Sequence, residues 1–145
     1  MLSVAHPKRL SSLIVALVVI GTACAFPQQG TVSIENLEGS YYVNGTDDMD
    51  VEYGGRLEIT RGDQPDRYAM QWIITGSVQL GTGVRNGDRL EGTWSTVDGL
   101  ADRDDTDPPS GTIRYTISSD GTLNGTRTFD GRDTTGTEEA FPVLP

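Results

Sequence analysis

From Leu37 onward, apolar and polar side chains alternate with a period of two. Gly, Asn and Asp interrupt the alternation roughly every eight to twelve residues. That pattern predicts many short antiparallel strands, each with one buried face, and no apolar stripe of helical spacing competes with it. Ser40–Asn44 places Tyr41 and Val43 on one face, and Val51–Arg61 sets Leu57 and Ile59 against Arg56, Glu58 and Thr60. Arg67–Thr75 carries the strongest stripe, Tyr68, Met70, Trp72 and Ile74. Val78–Val84 groups Val78, Leu80 and Val84 opposite Gln79, and Arg89–Thr96 groups Leu90, Gly92 and Trp94. Thr112–Ser118 alternates Ile113, Tyr115 and Ile117 with polar residues. Leu123–Phe129 has Leu123, Gly125, Arg127 and Phe129 in phase, and a last strand covers Thr137–Val143.

Asn86-Gly87 and Asp120-Gly121 read as tight hairpin turns with positive φ at both central residues. A similar phrase follows each of them, Leu90-Glu91-Gly92-Thr93 and Leu123-Asn124-Gly125-Thr126, and Leu37-Glu38-Gly39-Ser40 is a third copy. A glycine recurring at one place in several strands lets a sheet bend and curl. The expected fold is therefore all-β, an antiparallel up-and-down barrel of about eight strands, with a β-sandwich as the alternative.

The repeated turn and Leu-x-Gly-Thr phrase, with Leu90-Glu91-Gly92-Thr93-Trp94, resembles the meander of avidin-like and other calycin barrels. It also resembles small uncharacterised bacterial secreted or lipoprotein β-barrel domains. The resemblance spans residues 37–141 at the level of pattern. It implies a barrel whose mouth accepts a small ligand, and it transfers no ligand contacts.

Ahead of the strands, residues 1–25 read as an export signal of a bacterial or archaeal cell. Lys8 and Arg9 form a basic start, and Leu10–Ile20 is an apolar run too short to span a bilayer comfortably. Ala23-Cys24-Ala25 then offers a cleavage site after Ala25. The alternative is a lipid anchor on Cys24, the single cysteine, with Gly21 standing where lipoprotein signals usually have Leu, Val or Ile. Either route places the protein outside the inner membrane, secreted, periplasmic or tethered at the cell envelope. Residues 26–36 read as a linker and 37–145 as a single β domain.

Composition narrows the chemistry. The formal charge is −10. Beyond Ala25 no lysine, histidine or cysteine remains, and nine arginines face 21 acidic residues, a charge of −12. A Ser-His-Asp triad, a thiol nucleophile, an imidazole or thiolate zinc site, a His- or Cys-ligated haem and a Schiff-base lysine are all unsupported. No cofactor is implied, and disulfides cannot hold the fold. The charge also opposes binding to nucleic acid. Abundant acid with arginine but no lysine suits a surface adapted to high salt, and ordinary solubility is the simpler explanation.

Candidate sites follow from what remains. Tyr68, Trp72, Trp94 and Tyr115 lie in phase with aliphatic neighbours and Arg127 shares their register, so these five are the expected ligand-binding residues at the barrel mouth. The plainer expectation is that the aromatics are core, with Arg127 at the rim or paired with Glu139. Asp102, Asp104, Asp105 and Asp107 crowd one loop, and Asp47, Asp48, Asp50 and Glu52 another, as hard oxygen ligands for Ca²⁺ would, or as solvated acidic loops. Neither fits an EF-hand. Arg61-Gly62-Asp63 and the glycosylation-like Asn44-Gly45-Thr46 and Asn124-Gly125-Thr126 fit turn chemistry. An enzyme is not expected, although a carboxylate-based hydrolase needs only two acids. Two functions remain: an exported structural or interaction module of the envelope, contacting the membrane only through a lipid anchor, or a small-molecule-binding barrel. The partner, whether a small ligand or an envelope protein, is not legible. Polar groups inside the barrel favour the second function, and an uninterrupted apolar interior the first.

Overall fold

The alternation along the chain becomes the inside and outside of one closed sheet. The computed structural model describes residues 35–99 and 108–144. Within them lie β1 (Gly39–Thr46), β2 (Glu52–Arg61), β3 (Arg67–Ile74), β4 (Ser77–Asn86), β5 (Arg89–Gly99), β6 (Ser110–Ile117), β7 (Leu123–Thr128) and β8 (Thr135–Pro142). Each strand pairs antiparallel with the next, and β8 returns to β1, closing an up-and-down barrel of eight strands. The expected all-β barrel is the observed fold, and the sandwich is not.

Of the seven strands to which the alternation assigned a face, six point as expected. β3 is the clearest, with Tyr68, Met70, Trp72 and Ile74 buried between exposed neighbours. β4 is the exception. Gln79 faces inward at 7% exposure, while Leu80 and Val84 face solvent at 44% and 46%. The reason lies in its inward glycines. A Cβ at Gly81 would come 2.9 Å from the Trp72 ring, and one at Gly83 would come 2.9 Å from Leu90 and 3.0 Å from Met70. Large side chains from β3 and β5 fill the space β4 leaves empty, so its small residues must face in.

The hairpin turns also differ from expectation. Asn86 still pairs with Arg89, so the two turn residues are Gly87 and Asp88, and only Gly87 has positive φ, at 62°. That is the geometry of a turn with glycine at its first central position. At the next hairpin the Gly121 amide donates to the Ser118 carbonyl (3.0 Å) and Gly121 alone takes a positive φ of 88°. Glycine therefore follows that turn as a bulge residue.

The interior is divided along the barrel axis. The lower end, where β1, β3, β5 and β7 begin, is apolar: Leu37, Tyr41, Ile59, Tyr68, Met70, Leu90, Leu123 and Ala140 are all buried. Leu37 plugs this end, and the Tyr41 hydroxyl donates to its carbonyl at 2.9 Å. The upper half contains the buried polar residues Gln79, Thr96, Arg127 and Glu138.

Candidate functional site

Glu138 lies inward on β8, flanked by Gly45 of β1 and Gly125 of β7, its register partners. The flanking tripeptides are the two copies of Asn-Gly-Thr, and both sit within strands rather than turns. Their glycines make room for tyrosines. A Cβ at Gly45 would come 2.5 Å from the Tyr53 ring, and one at Gly125 would come 2.6 Å from the Tyr115 ring. With that space, both hydroxyls reach the carboxylate. Glu138 Oε1 accepts from Tyr115 OH and from Trp72 Nε1 (2.9 Å), and Oε2 accepts from Tyr53 OH (2.6 Å). Arg127 Nε stands 3.2 Å from Oε2 in an ion pair whose side chains are 2% and 0% exposed. The carboxylate thus has about as many donors as it can accept.

Arg127 itself is held differently. Its guanidinium carbon lies 4.9 Å from the Trp72 ring centroid and 4.6 Å from that of Trp94, with Tyr53 at 5.8 Å. Stacking between aromatic faces stabilises the charge. It does not supply hydrogen-bond acceptors: Nη2 is buried without one, and Nε meets Glu138 only as an ion pair, without hydrogen-bond geometry. Gln79 Oε1 and Ser77 Oγ are likewise unpartnered. Gln79 sits directly across from Trp72 in the sheet, and Ser77 is two residues before it on the same inward face. A buried polar group without a partner costs about 1–3 kcal/mol. The upper interior therefore holds unspent donors on Arg127 and unspent acceptors on Gln79 and Ser77.

The same network acts on the phenols. Burial, and next the negative charge of Glu138, push the Tyr53 and Tyr115 hydroxyls well above the ordinary tyrosine value. Both stay protonated, as donors to the carboxylate must.

Of the five aromatic and arginine residues expected at the mouth, Trp72, Trp94, Tyr115 and Arg127 come together. Tyr68 belongs to the lower apolar half. None of the five lines an open rim, since all are at most 4% exposed. Arg127 is neither at the rim nor paired with Glu139; its partner is Glu138, because Glu139 faces outward. Glu138, Tyr53 and Gln79 are members that the alternation missed. On β8 the apolar Phe141 lies on the outward face at 39% exposure, which hides the inward phase of Glu138. The two copies of Asn-Gly-Thr flank it in the sheet, but along the chain they read as turn chemistry.

The acidic loops resolve in part. Asp102, Asp104, Asp105 and Asp107 lie outside the described residues, as do Cys24 and the 1–25 segment. In the other loop, Asp47 Oδ1 accepts the Met49 and Val51 amides at 2.8 and 2.9 Å. Asp48 takes Arg132 Nη1 at 2.9 and 2.8 Å and the Thr134 hydroxyl at 2.9 Å, and the bond from Arg132 holds its carboxyl below the usual range. Asp47 is thus engaged by its own loop and Asp48 by the β7–β8 connection, and among the described residues no group of three His, Cys, Asp or Glu is placed to hold a metal. Arg61-Gly62-Asp63 ends β2, with the Gly62 amide donating to the Arg67 carbonyl across the turn (2.7 Å).

No protein-family model and no curated protein matches the chain. Among solved structures it is similar to a redesigned β-barrel, mFAP1, bound to DFHBI. The TM-score is 0.55 at 12% identity, covering 78% of this chain and 99% of that one. At that identity the likeness is one of fold.

Proposed function

We propose that this chain is an exported small-molecule-binding barrel, with its site in the polar upper half of the interior. One observation carries this: Arg127 Nη2, buried between Trp72 and Trp94, has no acceptor, and in the same upper half Gln79 Oε1 and Ser77 Oγ have no partner. A core built only for stability favours apolar residues there, because a buried ion pair is often no better than well-packed hydrophobic side chains. The structurally similar redesigned barrel is bound to DFHBI, which supports the reading that a barrel of this fold can carry a small molecule. Export rests on residues 1–25, through cleavage after Ala25 or lipidation of Cys24, and determines whether the barrel diffuses or stays tethered.

The test is native mass spectrometry of the full-length gene product recovered from an exporting host, compared with its denatured mass. A reproducible excess lost on denaturation is expected, and the denatured mass itself distinguishes cleavage from acylation. A native mass equal to the bare chain, in protein never unfolded or dialysed, would count against the site.

A structural or interaction module of the envelope is the second reading. It is favoured by Glu138, which hydrogen bonds from Trp72, Tyr115 and Tyr53 and the ion pair with Arg127 engage as a self-contained brace. Under it, function lies on the outer wall. Closure of β1 on β8 leaves none of the eight strands as a free edge, so such a partner would bind side chains rather than add a strand.

A further inference from the structure

We infer that Asn86-Gly87, at the turn between β4 and β5, is a self-modifying site where the asparagine converts to an aspartyl or isoaspartyl residue, with water as co-reactant. The same dipeptide at Asn44-Gly45 and Asn124-Gly125 is held unreactive by the barrel wall. This chemistry is independent of whatever the interior binds.

The reacting groups are the asparagine side chain and the next backbone amide. The Gly87 nitrogen gives up its proton to solvent and attacks Asn86 Cγ. A bond forms between that nitrogen and Cγ, the Cγ–Nδ2 bond breaks, and Nδ2 leaves as ammonia, closing a cyclic imide. Water then opens the ring at either carbonyl. Opening at Cγ leaves an ordinary aspartyl residue, and opening at the main-chain carbonyl leaves an isoaspartyl link with an extra main-chain carbon. One water enters, one ammonia leaves, and nothing is oxidised or reduced. Glycine permits the attack because it has no Cβ to crowd the nitrogen.

All three asparagines are exposed, so their side chains do not distinguish them. Their glycines do. Gly45 lies between Tyr53 of β2 and Glu138 of β8, and Gly125 between Tyr115 of β6 and Glu138. In an antiparallel ladder with a strand on each side, each amide donates to one of them, so neither glycine can swing toward its asparagine without opening the wall. Each also packs against a tyrosine that is bonded to Glu138. A Cβ would come 2.5 Å from the Tyr53 ring at Gly45 and 2.6 Å from the Tyr115 ring at Gly125. Moving either glycine therefore disturbs the buried network.

Gly87 has neither restraint. Asn86 and Arg89 form the last rung of the hairpin, which leaves Gly87 outside the ladder with a φ of 62°. Among the described residues its amide donates to no backbone carbonyl, and a Cβ on it would meet nothing within 4 Å. The local charge acts in the same direction. Arg85 Nε donates to the Gly87 carbonyl at 2.9 Å, and Arg89 stands opposite Asn86. Neighbouring cations favour the deprotonated nitrogen and the carboxylate that follows. Arg85 Nη1 also donates to the Glu35 carbonyl at 3.2 Å, so an isoaspartyl link would shift the turn that this arginine ties to the lead-in of the Leu37 plug.

The test follows the full-length gene product, recovered from an exporting host, through incubation in mildly alkaline buffer. A second sample is incubated in guanidinium chloride. Both are digested under acid conditions and mapped by mass spectrometry, with electron-transfer fragmentation separating isoaspartyl from aspartyl products. In the folded protein, position 86 should convert at least about tenfold faster than positions 44 and 124, which must first open locally. In guanidinium chloride the three rates should converge. Asn86→Gln should abolish the fast event and leave the other two rates unchanged. Equal rates at the three positions of the folded protein, or conversion at 44 or 124 ahead of 86, would overturn the assignment. So would the same ranking in guanidinium chloride, because the barrel wall would then not be what protects the other two.

Discussion

Arg127 and Glu138 depend on each other because neither can reach solvent. Removing one side leaves the other as a buried, uncompensated charge, so Arg127→Met or Glu138→Leu alone should destabilise the fold by about 3–5 kcal/mol. The double variant should cost less than the sum, and a double-mutant cycle by urea denaturation measures the difference. Additivity would show that the pair is not coupled as its 3.2 Å contact requires. The two tyrosines give a pH signature. Their folded-state values are raised above the ordinary 10.0. The unfolded phenols therefore ionise first, and the stability these groups contribute is intact below about pH 10 and lost as pH rises beyond it. Absorbance at alkaline pH should show Tyr53 and Tyr115 ionising together with loss of near-UV circular dichroism. Ionisation of all five tyrosines before unfolding would contradict their role as donors to Glu138.

At the scale of strands, inward glycines decide which neighbour can be large. Gly125→Ala would drive a methyl group into the Tyr115 ring and should cost about 1–3 kcal/mol. Gly87→Ala meets no atom within 4 Å and pays only for its positive φ, about 1 kcal/mol. Thermal denaturation of the two variants ranks them, and an equal loss would remove the packing explanation. Much of this scale was legible in sequence, since every strand and the up-and-down order followed from period-two alternation. β4 was not, because Leu80 and Val84 outweigh Gln79 in any hydrophobic pattern, while the volume that forces Gln79 inward belongs to Trp72, Met70 and Leu90 on other strands. Glu138 was hidden in the same way. Its partners come from β2, β3, β6 and β7, and no spacing along the chain brings those together before the barrel closes. Arg127, by contrast, could be seen as an inward-phased charge, although the register that gives it Glu138 rather than Glu139 could not.

For the molecule as a whole, the outer wall carries the charge and the interior carries the chemistry. A formal charge of −12 beyond Ala25, from nine arginines and 21 acidic residues, is self-repelling on a small barrel, and screening shortens that repulsion from about 10 Å at 0.1 M salt to about 3 Å at 1 M. The melting temperature should therefore climb between low salt and 1 M NaCl, whereas the Arg127–Glu138 pair, with side chains 2% and 0% exposed, should be insensitive. A flat or falling melting curve would argue that the surface carboxylates are locally compensated. The proposed binding site rests on the polar upper half of the interior, and it is most directly tested by electron density. A crystal structure at high resolution, from protein purified without unfolding, should show a bound, non-water species in contact with Arg127 Nη2 or Gln79 Oε1 in the upper interior. Ordered waters alone bridging these atoms, or side chains closed directly on one another, would contradict the account and leave the Arg127–Glu138 network as a structural brace.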